Sequence, residues 1–173
     1  MTFTENLQPS LLTSEATFPV LHKQISYKGP MGYIEIPDRW GIINDKTGEC
    51  VSIVSKEYQF VPHQTCIEIV EGALTSLGLD YQAAVKTYRN GAKFRAIYVI
   101  DNPVEILPGD KLSPVVQVEG SYDANSRERL LLGAYRYTCL NLTVSGGTDW
   151  GGFSAIHRGD INEAISQTAP QIM

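Results

Sequence analysis

Long apolar runs are missing from this 173-residue chain: no stretch approaches the roughly 18 consecutive apolar residues that a membrane-spanning helix requires. No positively charged start is followed by an apolar segment, so the sequence gives no sign of a secretory leader. Cytoplasm is the expected compartment, with no membrane partner. Cysteine is scarce as well. Cys50, Cys66 and Cys139 are odd in number and far apart, which excludes a secreted disulfide framework and fits reduced, mostly buried thiols. Positive charge is in deficit, with 14 Lys and Arg against 19 Asp and Glu, a formal charge of −5 and a pI near 5.2. A surface that coats nucleic acid by general basicity is therefore excluded, while a local basic patch is not.

Signature motifs of chemistry are absent too. The glycines at 146–152 have neither the spacing nor the following long helix of a dinucleotide site, and no phosphate-cradling loop ends in Gly-Lys-Ser/Thr. His157, Asp149 and Ser154 lack a Gly-X-Ser-X-Gly elbow. The nearest approach to zinc spacing is His63 with Cys66, three residues apart, and His63 reads as a surface histidine ahead of an apolar stripe. His22 reads as surface, and the acid pairs Glu35/Asp38 and Glu68/Glu71 as solvated faces. No catalytic residue, metal or cofactor is assigned.

What is present is a concentrated basic hairpin. Residues 81–100 read YQAAVKTYRNGAKFRAIYVI, two runs of strand character joined at Arg89-Asn90-Gly91, a step whose residues tolerate positive φ. Lys86, Arg89, Lys93 and Arg95 give this stretch +4 with no acid, leaving −9 for the rest of the chain. Lys93 and Arg95 project to one face, with Lys86 and Tyr88 on a face of the preceding strand. Register permitting, cations for phosphates then lie beside Tyr88 or Tyr98 as stacking partners. Arg127, Arg129 and Arg136 extend this candidate nucleic-acid surface. The plainer alternative is the solvent face of a half-buried sheet whose other face holds Phe94, Ala96, Tyr98 and Ile100.

Around the hairpin the sequence predicts an α+β fold: a curved antiparallel sheet built from hairpins, with one principal helix packed on it. Residues 1–30 lack a sustained period and form an arm or irregular lead-in, residues 31–167 a single domain, and residues 168–173 a tail. Strands are expected at 33–36, 40–43, 51–54 and 58–61, with Pro37-Asp38-Arg39 as a turn. Pro62 opens a helix whose stripe of Cys66 or Ile67, Val70, Ala73 or Leu74, and Leu77 ends at Gly78. Gly72 inside that helix predicts close packing against the sheet. Residues 101–108 form a loop and 112–120 a strand. Residues 129–142 read as a long strand, with a helix over 127–137 as the competing assignment, and a short helix follows at about 160–166.

From Trp40 to about His157 the chain resembles the phage- and plasmid-related family known as domain of unknown function 932. The resemblance rests on Tyr58-Gln59-Phe60-Val61-Pro62-His63 leading into the helix, Phe94-Arg95-Ala96-Ile97-Tyr98, and Leu107-Pro108-Gly109-Asp110. It continues through Ser121-Tyr122-Asp123, Arg136-Tyr137-Thr138-Cys139-Leu140-Asn141 and Ile156-His157-Arg158. Relatives often continue further after the late histidine. The resemblance implies a mobile-element context and action on DNA or host defence, without a reaction or cofactor. The sheet and helix are also superficially similar to ring-forming single-strand annealing proteins, a likeness under which Arg136 and Asn141 lie near a functional face and Cys139 in the core.

Three functions are compatible with these readings. The first is single-stranded DNA binding, or an annealing-type accessory role without catalysis, in a homo-oligomer. The second is a structural or protein-interaction module that holds a protein partner through the N-terminal arm. The third is an unrecognised enzyme with a site near Arg136, Asn141 and His157.

Overall fold

The computed structural model describes residues 7–136 and 152–155, with backbone alone for Arg136 and for 152–155. The described residues form an α+β arrangement of nine strands and one helix, and every strand pairing is antiparallel. The strands divide into two sheets. β1 (Val20–Gly29), β2 (Gly32–Asn44) and β3 (Cys50–Ser55) form one, in that order. The helix α1 (His63–Ser76) leads to the second, which contains β4 (Tyr81–Tyr88), β5 (Lys93–Ile100), β6 (Val104–Leu107), β7 (Asp110–Ser121), β8 (Glu128–Arg136) and β9 (Gly152–Ala155). Its order is β4-β5-β7-β8-β9, with β6 paired to β7 where β5 no longer reaches.

The helix forms where its period predicts. Cys66, Ile67, Val70, Glu71 and Leu74 make one buried stripe, which packs on the inward residues Ala83, Phe94, Ala96, Tyr98, Val116, Val118 and Leu130 of the large sheet. Gly78 at φ 66 ends it, with the Gly78 and Leu79 amides returned to the carbonyls of Thr75 and Leu74. Gly72 departs from expectation. It lies on the exposed side, and a Cβ there meets nothing within 4 Å, so its presence is unrelated to packing on the sheet.

Other departures have identifiable causes. β1 lies in a stretch whose sequence shows no sustained period, because Lys23 interrupts the alternation of Leu21, Ile25 and Tyr27. Pro37-Asp38-Arg39, read as a turn, is a bulge inside the continuous β2. Register runs from Gln24 opposite Trp40 to Ser26 opposite Glu35, Asp38 takes φ 57, and Gln24 Nε2 donates to the Ile36 carbonyl at 2.6 Å. Residues 58–61 alternate like a strand but form a connection that carries Tyr58, Phe60 and Val61 between the sheets. Residues 101–108 contain the short exposed strand β6, and residues 129–136 are strand, as read. The expected helix at 160–166 and the end of the 129–142 run lie outside the described residues.

An aromatic cluster joins the two sheets. Phe18, Ile42, Val54 and Tyr122 form a second buried core, with Tyr58 and Phe60 packed against it. His22 lies 4.9 Å from the Trp40 ring and 5.8 Å from Phe60, and burial lowers its pKa, so it is no ordinary surface histidine. His63 is fully buried among Phe18, Phe94 and Tyr122. Glu71 is also buried, because residues 7–17 fold across the helix: Leu11 and Ala16 are inaccessible, and the Glu71 carboxylate accepts Ser10 Oγ and Leu11 N, each at 2.6 Å.

Candidate nucleic-acid interface

Four strands of the large sheet place the basic residues by register. Lys86 stands opposite Arg95, Arg95 opposite Glu119, and Glu119 opposite Arg129, so a single row crosses β4, β5, β7 and β8. Directly opposite residues in an antiparallel pair share a face. One step nearer the β4–β5 turn, Tyr88 faces Lys93 and Lys93 faces Ser121. Strands lie about 4.8 Å apart, so the row from Lys86 to Arg129 spans roughly 14 Å. Farther from the turn, Ala84, Ile97, Val115 and Gln117 on the same face are buried, while Gln82 near the far end of β4 is exposed.

The β4–β5 turn is a four-residue loop, longer than the tight Asn-Gly step the sequence predicts. Arg89, Asn90 and Gly91 all take positive φ, and Ala92 N closes on the Arg89 carbonyl at 3.0 Å. The core sets this shape. Gly91 presses on Phe18, where a Cβ would come within 2.7 Å of the ring, and its carbonyl lies 3.1 Å from His63 Nε2. The Ala92 carbonyl accepts Tyr122 N at 2.7 Å. Arg89 is thereby held at the rim.

Two carboxylates that sequence reasoning did not assign to the site divide the cations among themselves. Glu119 accepts from Arg95 Nε at 2.8 Å and lies 3.7 Å from Arg129 Nη1. Asp123 Oδ2 is 2.9 Å from Arg89 Nη1 and 3.5 Å from Lys93 Nζ, and Lys93 also donates to Ser126 Oγ at 2.5 Å. Burial by itself would raise the Asp123 pKa, but the Ser121 hydroxyl, the Asn125 amide and the Lys93 charge together hold it below the ordinary aspartate value. Lys86 lies 5.3 Å from the centroid of the Tyr88 ring, and Tyr88 is exposed. Among the described residues, Lys86 and Arg127 form no ion pair. The alternation that puts Glu119 on this face is legible in β7; its pairing with β5 and β8 is not.

Seven of the predicted residues thus gather at one end of the sheet: Lys86, Tyr88, Arg89, Lys93, Arg95 and Arg129, with Arg127 exposed in the β7–β8 connection. Arg136 does not join them. It pairs with Leu112 at the other end of β8, seven residues from Arg129 and roughly 20 Å along the strand. Tyr98 is no stacking partner, since it is fully buried under α1. Asn141, His157 and Cys139 lie outside the described residues. Cys50 is exposed, whereas Cys66 is buried with its thiol 3.8 Å from Glu128 Oε2.

Beneath the row, Glu128 is almost wholly buried. Burial pushes its pKa up to about 8, against the opposing hydrogen bonds from Ser121 N and the Cys66 thiol. Gly120 makes room for it, as a Cβ at that position would lie 2.7 Å from Glu128 Oε2. The cationic end therefore rests on an acid whose ionisation is opposed by burial.

Among the described residues no helix is long and apolar enough to cross a membrane. No curated protein and no solved structure matches this chain. The model of the family described as Domain of unknown function (DUF932) matches residues 50–173, which begin at β3 and take in the whole large sheet, and the chain belongs to that family.

Proposed function

We propose that this protein binds single-stranded nucleic acid at the cationic end of its six-stranded sheet, as a non-catalytic DNA-binding or annealing-type accessory protein that works as a homo-oligomer. The observation that carries this reading is the shared face of Lys86, Arg95 and Arg129 with Tyr88 exposed beside Lys86. Six cations, counting Arg89, Lys93 and Arg127, surround the two carboxylates Glu119 and Asp123, so the patch stays positive on an acidic chain. Cations that meet phosphates beside an aromatic that accepts a base suit an unpaired strand, whereas duplex grooves are read by a presented helix or ribbon. Here the single described helix spends its apolar stripe on the core.

The test is fluorescence anisotropy with a labelled oligothymidylate of roughly 20 bases. If about three phosphates are neutralised, log K falls with log salt at a slope of about −2. Replacing Lys86, Lys93 and Arg95 together by glutamate should abolish binding, and unchanged affinity in that variant would sink the placement. Light scattering with and without a strand tests the oligomeric, annealing-type version.

A second reading has its own observation. At the end of the β1–β2 pair, Tyr27, Met31, Tyr33 and Ile34 are exposed, Met31 completely, and this end projects beyond the part of β2 that β3 covers. A protein-interaction module would use this surface, which includes the last residues of the N-terminal arm. Such a protein would ignore the oligonucleotide at every salt concentration.

A further inference from the structure

The described cations fall into two groups that the sequence does not distinguish. At the cationic end Arg89 and Lys93 are engaged by Asp123 and Arg95 and Arg129 by Glu119, whereas Lys86 and Arg127 make no ion pair among the described residues. We propose that Asp123 is a built-in counter-anion, pairing in the free protein with Arg89 and Lys93, the cations that turn to a phosphodiester when a strand binds. This rests on the reading of the sheet end as a nucleic-acid site and adds how that site is regulated.

The geometry fixes the carboxylate and leaves Arg89 exposed beside it. Asp123 Oδ1 accepts from Ser121 Oγ at 2.5 Å and from Asn125 N at 3.0 Å, while Asp123 N donates back to Ser121 Oγ at 3.2 Å. Its side chain is only 10% exposed, against 65% for Arg89. The loop therefore holds Asp123 in place. Arg89 projects from a turn at the rim, and Lys93 already has Ser126 Oγ as an alternative acceptor.

Carboxylate and phosphodiester oxygens are the same class of acceptor for guanidinium and ammonium donors. Each cation released from Asp123 to the strand strengthens binding, but Asp123 stays behind with a lost partner. Its low pKa keeps it charged at neutral pH, so that opposition persists throughout the physiological range. The net effect is a site with fewer effective cations than its composition implies.

The experiment measures binding of the same labelled oligothymidylate to wild type, Asp123→Asn, Lys86→Gln and Arg89→Gln, with thermal unfolding of each protein. Asparagine keeps an acceptor for the Asn125 amide. At about 50 mM salt, D123N should bind about 3- to 10-fold more tightly than wild type and steepen the salt slope by roughly 1. In the otherwise native protein, K86Q should lose more affinity than R89Q, because Lys86 has no competing carboxylate. The second comparison stands even if D123N does not fold. Wild-type binding with D123N equal or weaker, or with R89Q losing as much as K86Q, overturns the counter-anion and leaves the nucleic-acid site intact. Absence of binding by wild type and D123N alike overturns both.

Discussion

The imidazole of His63 lies flat on the ring of Tyr122, with centroids 3.8 Å and planes 11° apart, and the His63 amide donates to the Tyr122 hydroxyl at 2.8 Å. His63 is the first residue of α1, and Pro62 before it offers no side-chain cap. An amide at a helix start has no partner within the helix. Here a tyrosine just past the end of β7, 59 residues away, supplies one.

Tyr122→Phe keeps the stacked ring and removes only the hydroxyl. The buried His63 amide then loses this acceptor, which should cost about 1–2 kcal/mol. Urea unfolding measures it. A change within error would mean that water or another group takes over the cap.

Residues ahead of the family match belong to the core. Leu11 is inaccessible, and its amide donates to the buried Glu71 carboxylate. Burial and that carboxylate also push the Tyr81 phenol up to about 12. Leu11→Ala should destabilise the protein by about 2–4 kcal/mol, the range for emptying a buried leucine site. A loss below about 1 kcal/mol would show that the segment is only loosely docked.

Glu128 predicts an unusual pH dependence. Its folded pKa near 8 stands above the ordinary glutamate value of 4.5, so the native state holds a proton that the unfolded state has released. Stability therefore falls as pH rises through that interval and levels off above it. Between about pH 7 and about pH 9 the loss should be about 1 kcal/mol. Glu128→Gln should flatten the decline while keeping an acceptor for Ser121 N. His22, with its lowered pKa, acts in the opposite sense at lower pH, which is why the neutral-to-alkaline range is the informative one. A wild-type profile that is flat there would contradict a protonated Glu128.

Gly72 offers a gain of stability. It is an exposed helix-interior glycine with open space at its Cβ position. Gly72→Ala should stabilise by roughly 0.5–1 kcal/mol through reduced unfolded-state entropy and better helix propensity. A lower Tm would mean that this glycine faces a contact made by something other than the described residues.

Much of the architecture is written locally. The stripe from Cys66 to Leu74, the stop at Gly78, the alternation of Val116 and Val118, and the positive-φ turn at Asn90-Gly91 each depend on neighbours within a few residues. Such signals survive in a linear reading because backbone sterics and side-chain period are local physics. The clustering of Lys86, Arg89, Lys93 and Arg95 was legible for the same reason, since two antiparallel strands joined by a short turn must place them together.

Tertiary structure decided what those residues face. Tyr88 and Tyr98 look alike in sequence, yet one is half exposed beside Lys86 and the other is sealed under α1, because successive side chains alternate between faces and only the docked helix says which face is inside. The division of the large and small sheets, the burial of His63 and Glu71, and the removal of Arg136 from the cationic end all follow from long-range packing and register. The same holds for Asp123 and Glu119, which lie 24 to 34 residues from the cations β5 and its turn present to them. Sequence fixes the charge each residue carries; pairing β5 with β7 decides which of those charges neutralise one another, because electrostatic attraction depends on distance in space rather than along the chain.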